Sequence, residues 1–162
     1  MASFFLRNTF YCLLLSFCSF CLFSCTSIDV FEKNNVFSQQ QWTAKDTVKG
    51  TFTISDTNSF YNLYLVLRHT DKYQYNNIWI NMGLKAQGDT MHYQKISFTL
   101  GSDATGWYGT GMSDIWEVRN SINQQPRRFK KTGTYEYHLI NCMRDDPLKY
   151  IMSTGLRVEK KQ

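Results

Sequence analysis

Proline and glycine are scarce, two and nine in 162 residues, which leaves no material for a collagen-like repeat or a low-complexity linker. Charge is thin as well, at 19% of residues, and with 18 Lys+Arg against 13 Asp+Glu the net charge of +5 is mild and diffuse. That balance excludes a coiled coil and gives no footprint for nucleic acid. An apolar content of 43%, with 16% aromatic, also excludes a disordered chain. No apolar run reaches the ~20 residues that a membrane-spanning helix needs. What is present fits one domain behind a short leader.

That leader is residues 1–24. One cation, Arg7, precedes the nearly unbroken apolar run from Phe10 to Phe23, 14 residues long. A charged start and a short apolar core describe a secretory signal peptide. It ends in Leu22-Phe23-Ser24-Cys25, which is similar to the bacterial lipobox, where a small residue before a Cys permits cleavage and the thiol carries a diacylglycerol. Cys18 and Cys21 follow the bulky Phe17 and Phe20 and suit that cleavage less well. Cys25 is therefore the expected lipidation site, and several acyl chains on one terminus give stable anchoring. Thr26 follows it, not the acidic residue that retains enteric lipoproteins at the inner membrane. The expected location is the cell envelope, on the outer membrane in preference to the inner one.

Removing the leader takes Cys12, Cys18 and Cys21 with it and acylation occupies Cys25, so Cys142 stands alone. An internal disulfide is excluded even in an oxidising compartment. Cys142 ends a strand-like run and is expected as a packed thiol, not a nucleophile.

Residues 25–45 read as the lipidated Cys and a tether, with one possible edge strand around Val36–Trp42, and 46–162 as the folded domain. There the apolar period is two. Phe52 and Ile54 alternate with threonines. Tyr61, Leu63, Leu65 and Leu67 form one apolar face, and Ile78, Ile80, Met82 and Leu84 another. Ile96, Phe98 and Leu100, then Tyr135, Tyr137 and Leu139, then Leu156 and Val158, repeat the pattern. Turn-forming clusters at Asp56–Ser59, Gln87–Asp89, Gly101–Gly106 and Lys131–Gly133 separate them. Asp145-Asp146-Pro147 before Leu148–Met152 predicts a short helix, with a capping residue and Pro at its first position. Short strands at such spacings predict an all-β chain folded as a single antiparallel, jelly-roll-like β-sandwich.

Motifs for chemistry are few. Gly106-Trp-Tyr-Gly-Thr-Gly111 has the reverse of the dinucleotide spacing and is expected as a loop or bulge. His69, His92 and His138 are far apart, although Asp71 and Asp89 stand near the first two. Metal sites need converging ligands, and neither a metal nor a cofactor is expected. Asp114 and Glu117, three apart on a strand, would face opposite ways and make a poor glycosidase pair. The sharpest charge cluster is Arg127, Arg128, Lys130 and Lys131 around Phe129, a candidate patch for lipid headgroups or an acidic protein surface. Trp79, Trp107 and Trp116 are candidates for a sugar-stacking platform, although aromatics also fill cores. Thr47 and Thr90 each follow an Asp in a tripeptide similar to the O-glycosylation signal of Bacteroidota envelope proteins.

Several strings then coincide. Asp29-Val-Phe-Glu-Lys-Asn34, the run Leu63 to Ile80 with Arg68-His-Thr-Asp71 and Tyr75-Asn-Asn-Ile-Trp79, Gly133-Thr-Tyr-Glu-Tyr-His138, Met143-Arg-Asp-Asp-Pro-Leu148 and Gly155-Leu-Arg-Val-Glu159 follow in order behind the lipobox. In that order the chain resembles the GldH family of gliding-motility lipoproteins of Bacteroidota. Tyr150 stands where the family pattern would have Gly. The resemblance implies a non-enzymatic envelope lipoprotein of the gliding apparatus and, through shared machinery, of type IX secretion. Its partners would be the membrane, through the N-terminal lipid, and other envelope proteins of that apparatus, with no nucleic acid. A glycan-binding β-sandwich lipoprotein is the alternative.

Overall fold

The computed structural model of the protein describes residues 31–161. The expected leader and Cys25 lie outside the described residues. Inside them the chain is built of strands and one three-residue 3-10 turn at Ser38–Gln40.

Two antiparallel sheets carry the fold. The first has the order β1 (Phe31–Val36), β13 (Ile151–Lys160), β4 (Tyr61–Thr70), β10 (Ile115–Ser121) and β9 (Thr110–Met112). The second has the order β3 (Val48–Ile54), β11 (Gly133–Asn141), β5 (Asn77–Ala86) and β6 (His92–Thr99). Two short ribbons close the margins, β2 (Gln41–Trp42) with β12 (Leu148–Lys149), and β7 (Gly101–Ser102) with β8 (Gly106–Trp107). Taking the eight long strands in chain order, the sheets read 1-8-3-6 and 2-7-4-5. That is the jelly-roll arrangement, as the strand periodicity predicts.

The period-two faces become the two sides of one core. Tyr61, Leu63, Leu65 and Leu67 on β4 and Leu156 and Val158 on β13 turn inward. They meet Ile78 and Ile80 of β5, Phe52 and Ile54 of β3, and Tyr137 and Leu139 of β11. Each fully buried Leu, Ile or Phe contributes roughly 1.5–3 kcal/mol over its exposed state. Phe31 links the sheets, its ring 5.9 Å from both Phe52 and Tyr137.

The register gives the sandwich two distinct ends. Phe31 pairs with Val158, Lys160 with Tyr61, Gly133 with Ile54 and Tyr135 with Ala86. The start of β1 therefore shares one end with the close of β13, the start of β4 and the loop into β11. The other end gathers the close of β4, the start of β5 and the close of β11.

Three local expectations differ from the structure. The folded body takes in Phe31, fifteen residues before the expected boundary at 46. The edge strand is Phe31–Val36, not the centre of Val36–Trp42, and Phe37 and Trp42 are buried and stacked at 5.2 Å. Glu32, Lys33, Asn34 and Asn35 give β1 a polar outline that hides its one inward ring. Second, no helix follows Pro147. Leu148 pairs with Trp42, Ile151 is buried in β13, and Tyr150 between them has φ 68°. Burying Leu148 and Ile151 outweighs a helix start of one or two turns, which is marginal by itself. Third, β10 is a strand that the sequence scarcely announces, because Glu117 and Arg119 occupy its outer face and Val118 is its one fully buried residue.

Candidate functional site

The basic cluster is built around a buried plug. Asn123 organises the loop leading to it, accepting from the Leu63 amide at 2.7 Å and donating to the Gln125 carbonyl at 2.6 Å. Arg127 then exchanges backbone hydrogen bonds with Tyr61 at 2.8 and 2.9 Å. Phe129 turns inward, 2% exposed, and packs edge-on against Phe52, Tyr61 and Tyr135, with centroids at 5.8, 5.4 and 4.7 Å. It thus closes the sandwich between the two sheets.

The four cations around Phe129 are exposed. The Arg127 guanidinium lies 5.2 Å from the Phe129 ring, and that of Arg128 lies 4.5 Å from the half-exposed ring of Phe60. Such contacts contribute about 0.5–1 kcal/mol at exposed sites and hold the charge in place. Lys131 pairs with Asp89 at 2.7 Å, which raises its pKa, and its backbone is bonded to the Tyr135 hydroxyl. Lys130 is exposed. All four cations thus lie exposed on one loop, which the Phe129 plug fixes.

The three tryptophans do not form one platform. Trp79 is on the outer face of the four-stranded sheet, 39% exposed, with Lys95 5.2 Å from its ring. Trp107 is half-buried at the far end, packed on His69 at 4.6 Å and on Tyr73 at 6.2 Å. Trp116 belongs to the five-stranded sheet and covers Gly111, where a Cβ would meet its ring at 2.8 Å. A stacking surface of all three is therefore excluded by position.

Sequence reasoning missed a polar chain on the same outer face as Trp79. The Tyr93 hydroxyl bonds His138 Nδ1 at 2.9 Å, His138 Nε2 bonds Glu136 at 2.9 Å, and Glu136 pairs with Lys85 at 3.0 Å. Hydrogen bonds from Lys85 and then His138 hold the Glu136 carboxyl below its ordinary value. Period two already put residues 136 and 138 on one face, but Tyr93 is brought alongside by the pairing of Gly83 with it. A Cβ at Gly83 would meet the Tyr93 ring at 2.7 Å. The chain lies on an open sheet, and it ties strands together.

His69 is fully buried and donates from Nδ1 to the Thr70 carbonyl at 2.9 Å, whereas Asp71 is exposed. Burial pushes its pKa down, against the raising effect of the Thr70 bond. His92 is exposed, and Asp89 is engaged by Lys131, not by His92. Asp114 sits in the turn before β10, where its carbonyl accepts from the Asp71 amide. Glu117 stands between Arg68 at 2.6 Å and Arg119 at 2.9 Å. Partial burial raises its pKa, but the two guanidiniums outweigh that and the net shift is downward. Cys142 is half-buried, not a core thiol, and its Sγ donates to the Ile140 carbonyl at 3.7 Å. The glycine run 106–111 is two short strands with left-handed Gly106 and Gly109. Among the described residues no three His, Cys, Asp or Glu side chains converge as metal ligands. Thr90 is exposed on the β5–β6 loop, and Thr47 is half-buried.

A groove of about 590 Å³ lies at the far end, between Tyr73, Tyr75 and the Arg144–Tyr150 segment. Tyr75 donates to Asp145 at 2.5 Å across it, which raises the phenol's pKa.

Comparison with known proteins places this geometry in a context. The model of the family described as GldH lipoprotein matches residues 29–158. The gliding motility lipoprotein GldH of Flavobacterium johnsoniae is 23% identical over 147 residues, covering 86% of this chain and 90% of its own. A protein of Christiangramia forsetii named gliding motility lipoprotein GldH homolog is 20% identical, covering 96% of this chain and 98% of its own. Among solved structures, a chain from the structure of infectious bursal disease virus Gt strain aligns with 80% of this chain and 29% of its own. Its sequence identity is 12% and its TM-score 0.29, too low to carry an argument.

Proposed function

The chain belongs to the GldH lipoprotein family, and from that premise we propose that it is a non-enzymatic component of the gliding motility machinery, held in the cell envelope by a lipid on Cys25. The family is one of membrane-anchored lipoproteins of the envelope. The finer reading is that the anchor is in the outer membrane, that the sandwich docks on other envelope proteins of the apparatus, and that the type IX secretion linked to gliding depends on it.

The single observation that carries this is the family match across residues 29–158, which covers all but three of the described residues. The site geometry agrees with a docking role. Glu117 and Asp89 are engaged in ion pairs, Asp114 lies in a turn, and His69 is buried.

The test is deletion of the gene in a gliding host, complemented with the natural chain and with Cys25→Ser. Loss of surface spreading and of adhesin delivery, restored by the natural chain but not by the variant, is expected. Normal spreading in the deletion strain would overturn the reading. The glycan-binding alternative narrows to Trp79 and Tyr93, 39% and 49% exposed on one sheet face. Glycan-array binding that Trp79→Ala abolishes would favour it instead.

A further inference from the structure

We propose that the end of the sandwich bearing the start of β1 is a membrane-docking surface, whose basic loop binds the anionic phospholipid headgroups of the bilayer that holds the anchor. The inference rests on the reading of Cys25 as the anchored residue.

Chain length fixes which end is near the membrane. Cys25 lies six residues before Phe31, a reach of at most about 20 Å even when fully extended. β4 alone, with ten residues, is roughly 33 Å long. The tether is thus shorter than the sandwich, and the end at Phe31 is the one it keeps close to the bilayer.

The two ends also differ in charge. Phe31 shares its end with Arg127, Arg128, Lys130 and Lys131, and with Lys160 and Lys161 at the close of β13. The carboxylates there are committed: Asp56 to Lys160, Asp89 to Lys131, and Glu32 and Glu159 to Arg157. Arg127, Arg128 and Lys130 have no carboxylate partner among the described residues. The far end holds Asp71, Asp114, Asp145 and Asp146 in its loops, with Lys72, Arg144 and Lys149 among them. Arg127, Arg128 and Lys130 thus leave the tether end with cations that no carboxylate there offsets, whereas the far end mixes both signs. A basic surface close to anionic lipid gains about 1 kcal/mol per Lys or Arg, which is about fivefold in the docking equilibrium.

The basic surface is also pre-formed. Phe129 and the Tyr61–Arg127 bonds fix the loop, so little ordering entropy is lost on contact. Phe60, 43% exposed beneath Arg128, supplies an apolar ring with a cation above it, suited to the headgroup boundary.

The experiment uses the full lipidated chain, inserted into vesicles of neutral phosphatidylcholine or of phosphatidylcholine with phosphatidylglycerol. A membrane-impermeant amine-acylating reagent is applied, and labelling of Lys130 is measured by mass spectrometry relative to Lys149 at the far end. The ratio is expected to fall about fivefold or more on the anionic vesicles and to recover at high salt, which screens the attraction. Co-flotation with the vesicles reports the anchor separately. A chain that co-floats with an unchanged ratio overturns the docking surface and leaves the anchor intact. A chain that does not co-float overturns the anchor and the inference with it. Protection on native envelope fragments but not on protein-free anionic vesicles would assign the surface to an acidic protein, and would also overturn the proposal.

Discussion

Tyr61 and Arg127 exchange both of their backbone hydrogen bonds, at 2.8 and 2.9 Å. That pair makes the basic loop an extension of the five-stranded sheet and delivers Phe129 to the space between the sheets.

Phe129→Ala removes the plug. The ring is 2% exposed and touches three aromatic rings, so the variant should lose about 3–5 kcal/mol of stability, measured by urea denaturation. A loss under about 1 kcal/mol would mean that the sandwich closes without it.

Gly155 permits the edge strand to dock. A Cβ there would overlap the Lys33 carbonyl oxygen and lie 2.7 Å from Asn34 Cα, both on the neighbouring backbone. Gly155→Ala should cost about 1–3 kcal/mol and speed hydrogen exchange of the β1 amides selectively. Unchanged protection of β1 would refute the steric argument.

Tyr150 occupies the left-handed region at φ 68°, where a side chain costs roughly 1–2 kcal/mol and glycine almost nothing. Its ring also packs on the core, so the backbone effect must be isolated. Tyr150→Gly should be more stable than Tyr150→Ala by about 1 kcal/mol, although glycine usually loses to alanine. Equal midpoints, or a more stable alanine form, would count against it.

His69 should make the fold sensitive to mild acid. Burial lowers its pKa from 6.5 in the native state, so the unfolded chain takes up the proton first. Its contribution is complete above the unfolded value and is lost as pH falls from there toward the folded value. The urea midpoint should fall between pH 7 and 5, and His69→Gln should flatten that part of the profile. An equally steep profile in the variant would assign the acid sensitivity elsewhere.

The sequence by itself determined what depends on neighbours along the chain. Alternation at Tyr61–Leu67, Ile78–Leu84 and Tyr135–Leu139 announced half-buried strands because side chains on a strand alternate faces. Tertiary structure decided what depends on register between distant segments. Phe129 reads as part of a charged loop until Tyr61, 68 residues earlier, pairs beside it. Trp79, Trp107 and Trp116 look alike in the chain and belong to different parts of the fold. The segment after Pro147 carried a helix signal worth only a turn or two, and the burial of Leu148 and Ile151 overrode it. The gathering of the basic loop beside Phe31 comes from the same source: strand pairing brings residues 31, 61, 127 and 160 to one end, and no local pattern records which ends meet.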